Sequence, residues 1–139
     1  MNEFEFLSHT ADIGIKAYGA SIDELFSHAA KGMFRIITTT EKIKRVFTRN
    51  VTVQGIDYED LLVRWLTELV YISSVEKLVF SEFMVTIISE NRVKAQIHGD
   101  SFNETVYPLG SEIKGVAYHG LKITQTKKGL WQAIVFFDI

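Results

Sequence analysis

The chain has 139 residues, of which 47% are hydrophobic and 23% are charged. This composition is that of a globular protein and excludes a chain that is disordered throughout. The formal net charge is −2, from 15 basic and 17 acidic residues, so the overall basic charge typical of nucleic-acid-binding domains is absent. The chain contains no cysteine, which excludes disulfides, catalytic thiols and thiolate zinc sites. The length predicts a single domain over residues 1–139.

The first part of the chain predicts two short strands and a helix. The strand candidates are residues 3–6 and 13–18, and a polar stretch lies between them. Ser21 followed by Glu24 is a capping box, which predicts the start of a helix. Apolar residues then recur at helical spacing until about Ile37, where three threonines favour extended backbone. These apolar residues are Ile22, Leu25, Phe26, Ala29, Met33 and Ile36.

A segment rich in β-branched residues, 41–54, predicts one long strand or two short ones. Four basic residues crowd into it, and we interpret them as a solvated strand face rather than an RNA contact. They are Lys42, Lys44, Arg45 and Arg49.

A second helix is predicted after Asp57, which can cap it. Its apolar face is wide and contains Trp65, so the helix should pack on a sheet. The other apolar residues are Leu61, Leu62, Leu66, Leu69 and Val70.

The remainder predicts strands joined by short turns. Residues 83–87 and 93–97 alternate between apolar and polar, with a turn at Glu90 and Asn91. A loop follows at 100–110, and further strands are expected at 113–119, 121–126 and 131–138. The short connections favour antiparallel hairpins over parallel crossovers. The predicted fold class is therefore α+β, with two helices packed on a mostly antiparallel β-sheet in a single compact domain.

Two places carry the side chains of most chemical interest. The first is the polar stretch that contains His9 and Asp12, between the first two strands. The second is the C-terminus, where five consecutive apolar residues predict a strand buried on both faces and Asp138 and Ile139 follow. Carboxylates at a strand end suit a hard divalent cation such as calcium. Spacing alone leaves open whether Asp138 binds metal or is a solvated chain end.

Four segments in a fixed order resemble the archease family over essentially the whole chain. They are HTADIGI near the start, EDLLVRWLTEL in the middle, EIKGVAYHGL later and WQAIVFFDI at the end. The chain differs from the family pattern in having Gly115-Val116-Ala117 where Ala-Val-Thr is more common. It also has Tyr107 where a histidine is common.

The resemblance implies a function and a set of ligands. Archeases are single α+β domains that bind a divalent cation, usually described as calcium. The family's metal ligands correspond to Asp12, Asp138 and the terminal carboxylate of Ile139. The implied partner is the tRNA-splicing RNA ligase RtcB, whose guanylylation and multiple turnover an archease promotes and whose nucleotide specificity it can broaden. Transfer RNA would be touched only indirectly, and the chain would not itself be an enzyme.

Further residues near these motifs are candidates for contacts to the ligands or to the partner. His9 and Glu112 are the first such candidates, and Lys114 and His119 are weaker ones; for each, a purely structural hydrogen bond is the alternative. Two other functions compete with the accessory role. One is a small metal-dependent hydrolase with His9 as base, and the other is a general chaperone-like binding module. The first residues carry no secretory signal and no apolar run would span a bilayer, so a cytoplasmic location is expected, without a membrane partner.

Overall fold

The computed structural model describes residues 2–8 and 12–139. Within these residues the chain forms two helices and seven strands, and all paired strands are antiparallel. The elements in chain order are β1 (Phe4–Ser8), β2 (Ile13–Gly19), α1 (Ile22–Ile37), β3 (Phe47–Gln54), α2 (Tyr58–Glu76), β4 (Leu78–Ser89), β5 (Arg92–Ser101), β6 (Gly115–Gln125) and β7 (Trp131–Asp138).

The strands form two sheets. One has four strands in the order β1-β2-β7-β6, and the other has three in the order β3-β5-β4. The last strand of the chain, β7, therefore lies inside its sheet, between β2 and β6. Both long edges of β7 are hydrogen-bonded, so the end of the chain is held on two sides.

The two helices join the sheets through one hydrophobic core. Helix α1 packs against β2 in the first sheet and against β4 in the second, whereas α2 packs mainly against β6. Trp65 of α2 is completely buried, and its indole Nε1–H donates a hydrogen bond to the carbonyl oxygen of Phe26 in α1 (3.1 Å). Burial of the apolar faces of both helices confirms the predicted α+β class in a single compact domain.

Three local expectations differ from the structure. Residues 41–46 form no strand, because the segment crosses the surface between α1 and β3 with Ile43 as its buried anchor. The two strands expected around residue 120 are one strand, β6, whose pairing with β7 is irregular between Ala117 and Lys122. Strand β7 is not buried on both faces: Val135 is fully buried but Phe136 is half-buried, since helices cover only one face of this sheet.

No helix in the described part of the chain combines the length and the apolar composition that crossing a membrane requires.

Candidate metal centre

The pairing of β2 with β7 brings the two predicted aspartates to one end of the four-stranded sheet. Ile13 is opposite Phe137 in the ladder, Asp12 comes directly before Ile13, and Asp138 comes directly after Phe137. Opposed residues of an antiparallel pair project from the same face of the sheet. Asp138 follows Phe137, which points into the core with no exposed surface, so Asp138 projects from the opposite, open face. Asp12 directly precedes β2, is half-buried, and lines a cavity together with Arg35 and Ile36 of α1.

Strand β6 holds Asp138 from the other side. Gly115 is opposite Asp138, and the backbone N–H of Lys114 donates a hydrogen bond to the Asp138 carbonyl oxygen (2.7 Å). A Cβ atom added at Gly115 would lie 3.4 Å from Oδ2 of Asp138, so the carboxylate rests beside the bare glycine backbone. Asp138 is exposed and Ile139 is 43% exposed. The backbone at the end of the chain is therefore fixed while its carboxylates remain open to solvent.

The carboxylates of Asp12 and Asp138 are not neutralised by the described residues. Within residues 2–8 and 12–139, neither forms an ion pair or a side-chain hydrogen bond. The same part of the chain contains no group of three or more His, Cys, Asp and Glu side chains that could hold a metal ion. The ligand set implied by the resemblance has two such side chains and an α-carboxylate. Unpaired carboxylates at one end of a sheet fit a hard cation, which completes its shell with backbone oxygens and water.

A cavity of about 420 Å³ adjoins Asp12. Its opposite wall is the loop before β6, which is tied to the end of α1 by hydrogen bonds from the Gly110 amide to Ile37 O (2.9 Å) and from the Ser111 amide to Ile36 O (2.7 Å). A Cβ atom at Gly110 would lie 2.1 Å from the Ile36 carbonyl oxygen, so this close approach requires glycine. Ser111, Thr39 and Arg35 are the polar residues that line this cavity with Asp12, and the sequence pointed to none of them.

The other predicted residues are dispersed. Glu112 lines a separate cavity of about 440 Å³, together with Lys77 of the α2 C-cap. Lys114 approaches Asp138 through its backbone, as described above. His119 is exposed on β6, four residues from Gly115 and so about 13 Å along the strand. His9 lies outside the described residues.

Tyr107, at the position where a family histidine was expected, is a structural residue. Its side chain is only 2% exposed, and its hydroxyl donates a hydrogen bond to Asp100 and accepts one from the Lys44 amide. Burial, and next the Asp100 carboxylate, raise the pKa of the Tyr107 hydroxyl. The tyrosine therefore stays neutral and links the loop before β6 to the segment after α1.

Comparison with known proteins identifies the family. The Archease protein family (MTH1598/TM1083) matches residues 4–139. The archease of Methanosarcina barkeri is 41% identical over 141 residues, which cover 99% of this chain and 96% of that protein. The solution structure of Methanobacterium thermoautotrophicum protein 1598 is 29% identical and superposes with a TM-score of 0.82, with 100% of each chain covered.

A more distant structure shares the fold. The crystal structure of a Thermotoga maritima archease, described as a possible chaperone, has a TM-score of 0.66 and 20% identity. It covers 96% of this chain and 94% of its own. At this identity the likeness supports the fold alone.

Proposed function

The chain belongs to the archease family, and we propose that it is a cation-binding accessory protein that activates an RtcB-type RNA ligase. The observation that carries the proposal is the β2–β7 register, in which Ile13 is opposite Phe137, so that Asp12 and Asp138 come to the same end of the sheet from opposite ends of the chain. Neither carboxylate has a basic partner in the described residues. Two unneutralised carboxylates at the same end of a sheet repel each other, and a cation bound by both removes that repulsion.

The proposed ligands are the side chains of Asp12 and Asp138 and the α-carboxylate of Ile139. All three are oxygen donors, which favours calcium over the softer transition metals. When bound, the cation supplies a positive charge at an exposed sheet end, where it can polarise phosphate or carboxylate oxygens of a partner. The chain's own residues hold this end rigid through β6 and through the loop before it.

The proposed activity is on the ligase rather than on RNA. In this proposal the protein docks its metal end onto the ligase, promotes guanylylation of the ligase and lets the enzyme turn over repeatedly. Transfer RNA is then contacted by the ligase alone. A formal net charge of −2 is consistent with a protein partner, since direct RNA binding would favour a basic surface.

The test is a ligase assay with matched variants. A purified RtcB-type ligase is incubated with guanosine triphosphate, and its guanylylation rate is measured with this protein in calcium or in EDTA. Wild-type protein should accelerate guanylylation in calcium. The acceleration produced by Asp138→Asn should be at least tenfold smaller. Glu90→Gln, the same change of carboxylate to amide at the exposed β4–β5 turn, should act as wild type.

Each contrary outcome points to a different function. Full stimulation by Asp138→Asn in EDTA would refute the role of the metal end. Metal-dependent hydrolysis by this protein without a ligase would favour the hydrolase alternative. Suppression of client aggregation that is independent of calcium and of Asp138 would favour a chaperone-like module.

A further inference from the structure

A second cavity, of about 380 Å³, lies on the other side of Arg35 from Asp12. Arg35 lines both cavities, and Lys31 and Lys42 line this second one together with the carboxylates of Glu3 and Glu41. Three cations therefore meet two carboxylates, which leaves the cavity positive in a chain whose net charge is −2. Its volume is within the roughly 300–1,000 Å³ of small-molecule sites.

Arg35 is the unusual group in this cavity. Its Nη1 atom is buried and has no hydrogen-bond partner, and within residues 2–8 and 12–139 the guanidinium forms no ion pair. Burial lowers the pKa of Arg35, and the charge of Glu41 offsets this lowering only in part. A buried guanidinium N–H without a hydrogen bond costs free energy, so a group that is absent from the chain itself should satisfy it.

The neighbouring cations differ in how far they are neutralised. Lys31 is neutralised, because its ammonium lies 2.8 Å from Oε2 of Glu3. The same carboxylate oxygen lies 3.1 Å from Nε2 of His28. Lys42, by contrast, donates a hydrogen bond through its backbone N–H, to the Thr40 hydroxyl (3.1 Å), and its ammonium forms no ion pair within the described residues. Arg35 and Lys42 are therefore the two cations available to an incoming anion.

The wall of the cavity that carries Glu41 and Lys42 is fixed in place. Ile43, the next residue, is 7% exposed, and its carbonyl oxygen accepts a hydrogen bond from the hydroxyl of Ser81, which itself lines the cavity (3.2 Å). Farther along, the amide of Val46 donates to Gly99 O (2.7 Å). The segment is irregular but anchored, so the cavity is preformed rather than a gap beneath a loose loop.

We propose that this cavity, with Arg35 as its central ligand, binds a phosphate group. The planar guanidinium matches two phosphate oxygens at once, and Lys42 adds a point charge. Phosphate is favoured over a carboxylate because it carries about two negative charges at neutral pH and offers three oxygens. The site does not involve Asp12, Asp138 or a metal, so it stands independently of the proposed ligase activation.

The experiment follows the backbone amide signals of Lys42 and Ser81, which line the cavity and are present in every variant, by NMR in EDTA, so that metal-bound phosphate cannot contribute. Inorganic phosphate is titrated at constant ionic strength, and the expected result is a saturable shift of these signals. Arg35→Met should weaken binding at least tenfold, and Arg35→Lys should weaken it less. Arg92→Met, at an exposed position of β5, is the matched control and should bind as wild type.

Two further measurements identify the source of the phosphate group and the effect of Arg35 on folding. If the ligand is a nucleotide, a nucleoside triphosphate should bind more tightly than pyrophosphate; equal affinities indicate a site for the phosphate group alone. In phosphate-free buffer Arg35→Met should unfold at the wild-type temperature or above it, because it removes a half-buried cation whose Nη1 atom has no hydrogen-bond partner. Absence of a saturable shift in the wild type, or wild-type affinity in Arg35→Met, would overturn the proposal.

Discussion

Replacing Asp12 by Asn should change stability in opposite directions in the absence and in the presence of calcium. One step beyond the Ile13–Phe137 pair, a continued ladder would oppose Asp12 and Asp138 with their Cβ atoms about 5 Å apart. Two unit charges at that distance repel by roughly 1 kcal/mol in water and roughly 3 kcal/mol at an effective dielectric constant of 20. Because Asp138 is exposed, the lower value applies. Without metal, Asp12→Asn should therefore stabilise the protein by about 1 kcal/mol or less, and added salt should remove this gain.

Calcium should reverse the order of the two proteins. A ligand present at 100 times its dissociation constant stabilises the folded state by about 2.7 kcal/mol. Loss of one anionic ligand lowers the affinity, and each tenfold loss of affinity removes about 1.4 kcal/mol of that stabilisation. With a tenfold loss, the variant should gain only about half as much from calcium as the wild type does.

The assay is urea-induced unfolding of the wild type and Asp12→Asn, each in EDTA and in calcium. Glu90→Gln serves as the control, since it removes one carboxylate far from the β2–β7 pair. The reasoning fails if calcium stabilises Asp12→Asn as much as the wild type. It also fails if the variant is destabilised in EDTA by more than about 1 kcal/mol, since that would give the carboxylate a structural role.

The remaining predictions concern the loop before β6, the carboxylate of Asp60 on α2, covalent labelling by guanosine triphosphate and the carboxylate of Ile139. Gly110→Ala should destabilise by about 1–3 kcal/mol, because its Cβ would lie 2.1 Å from the Ile36 carbonyl oxygen; urea unfolding measures this. The pKa of Asp60 is lowered, chiefly by the hydrogen bond from the Tyr118 hydroxyl, so the stability it contributes is present at neutral pH and is lost as the pH falls through its folded pKa. Tyr118→Phe should therefore destabilise at pH 7, and its difference from wild type should shrink toward pH 3 in unfolding measured at both values. Labelled guanosine triphosphate should leave this protein unlabelled on a denaturing gel. A short peptide tag added after Ile139 should weaken calcium binding in a calorimetric titration, whereas the same tag added before Met1 should not.

The helices could be predicted because their signals are local. The Ser21 side chain accepts a hydrogen bond from the Glu24 amide (3.1 Å), and the Asp57 side chain accepts one from the Asp60 amide (2.8 Å). Both contacts span three residues, so the cap residues alone indicate where α1 and α2 begin. The hairpin of β4 and β5 was likewise predictable from alternation and from the turn between the strands.

The division into two sheets could not be predicted, because it depends on contacts between distant segments. Residues 41–46 have the composition of a strand, but the segment connects α1 to β3 and forms no strand itself. Strand β7 follows the apolar pattern of a doubly buried strand, yet tertiary packing covers one of its faces only.

The candidate site was predictable only in part for the same reason. Asp12 and Asp138 were identified from motifs at the two ends of the chain, but their alignment depends on β7 pairing with β2. Arg35 lies in the last turn of α1 between two apolar residues, and no feature of the sequence distinguishes it. Ser111 lines the cavity beside Asp12 because backbone hydrogen bonds join its loop to the end of α1. Such neighbours arise from the fold and not from any local pattern.

The strand order explains why a tag should act differently at the two ends of the chain. Chain termini usually fray, but here Phe137 is fully buried and the Asp138 carbonyl oxygen accepts the Lys114 amide, so the last residues start from a fixed point. Further chain would convert the carboxylate of Ile139 into a neutral amide at the end of the sheet to which Asp12 also belongs. At the other end of the protein, β1 runs antiparallel to β2, and Phe4 is opposite Ala17. An N-terminal tag therefore departs from the far end of the sheet, so equal calcium affinities for the two tagged forms would show that the terminal carboxylate is not a ligand.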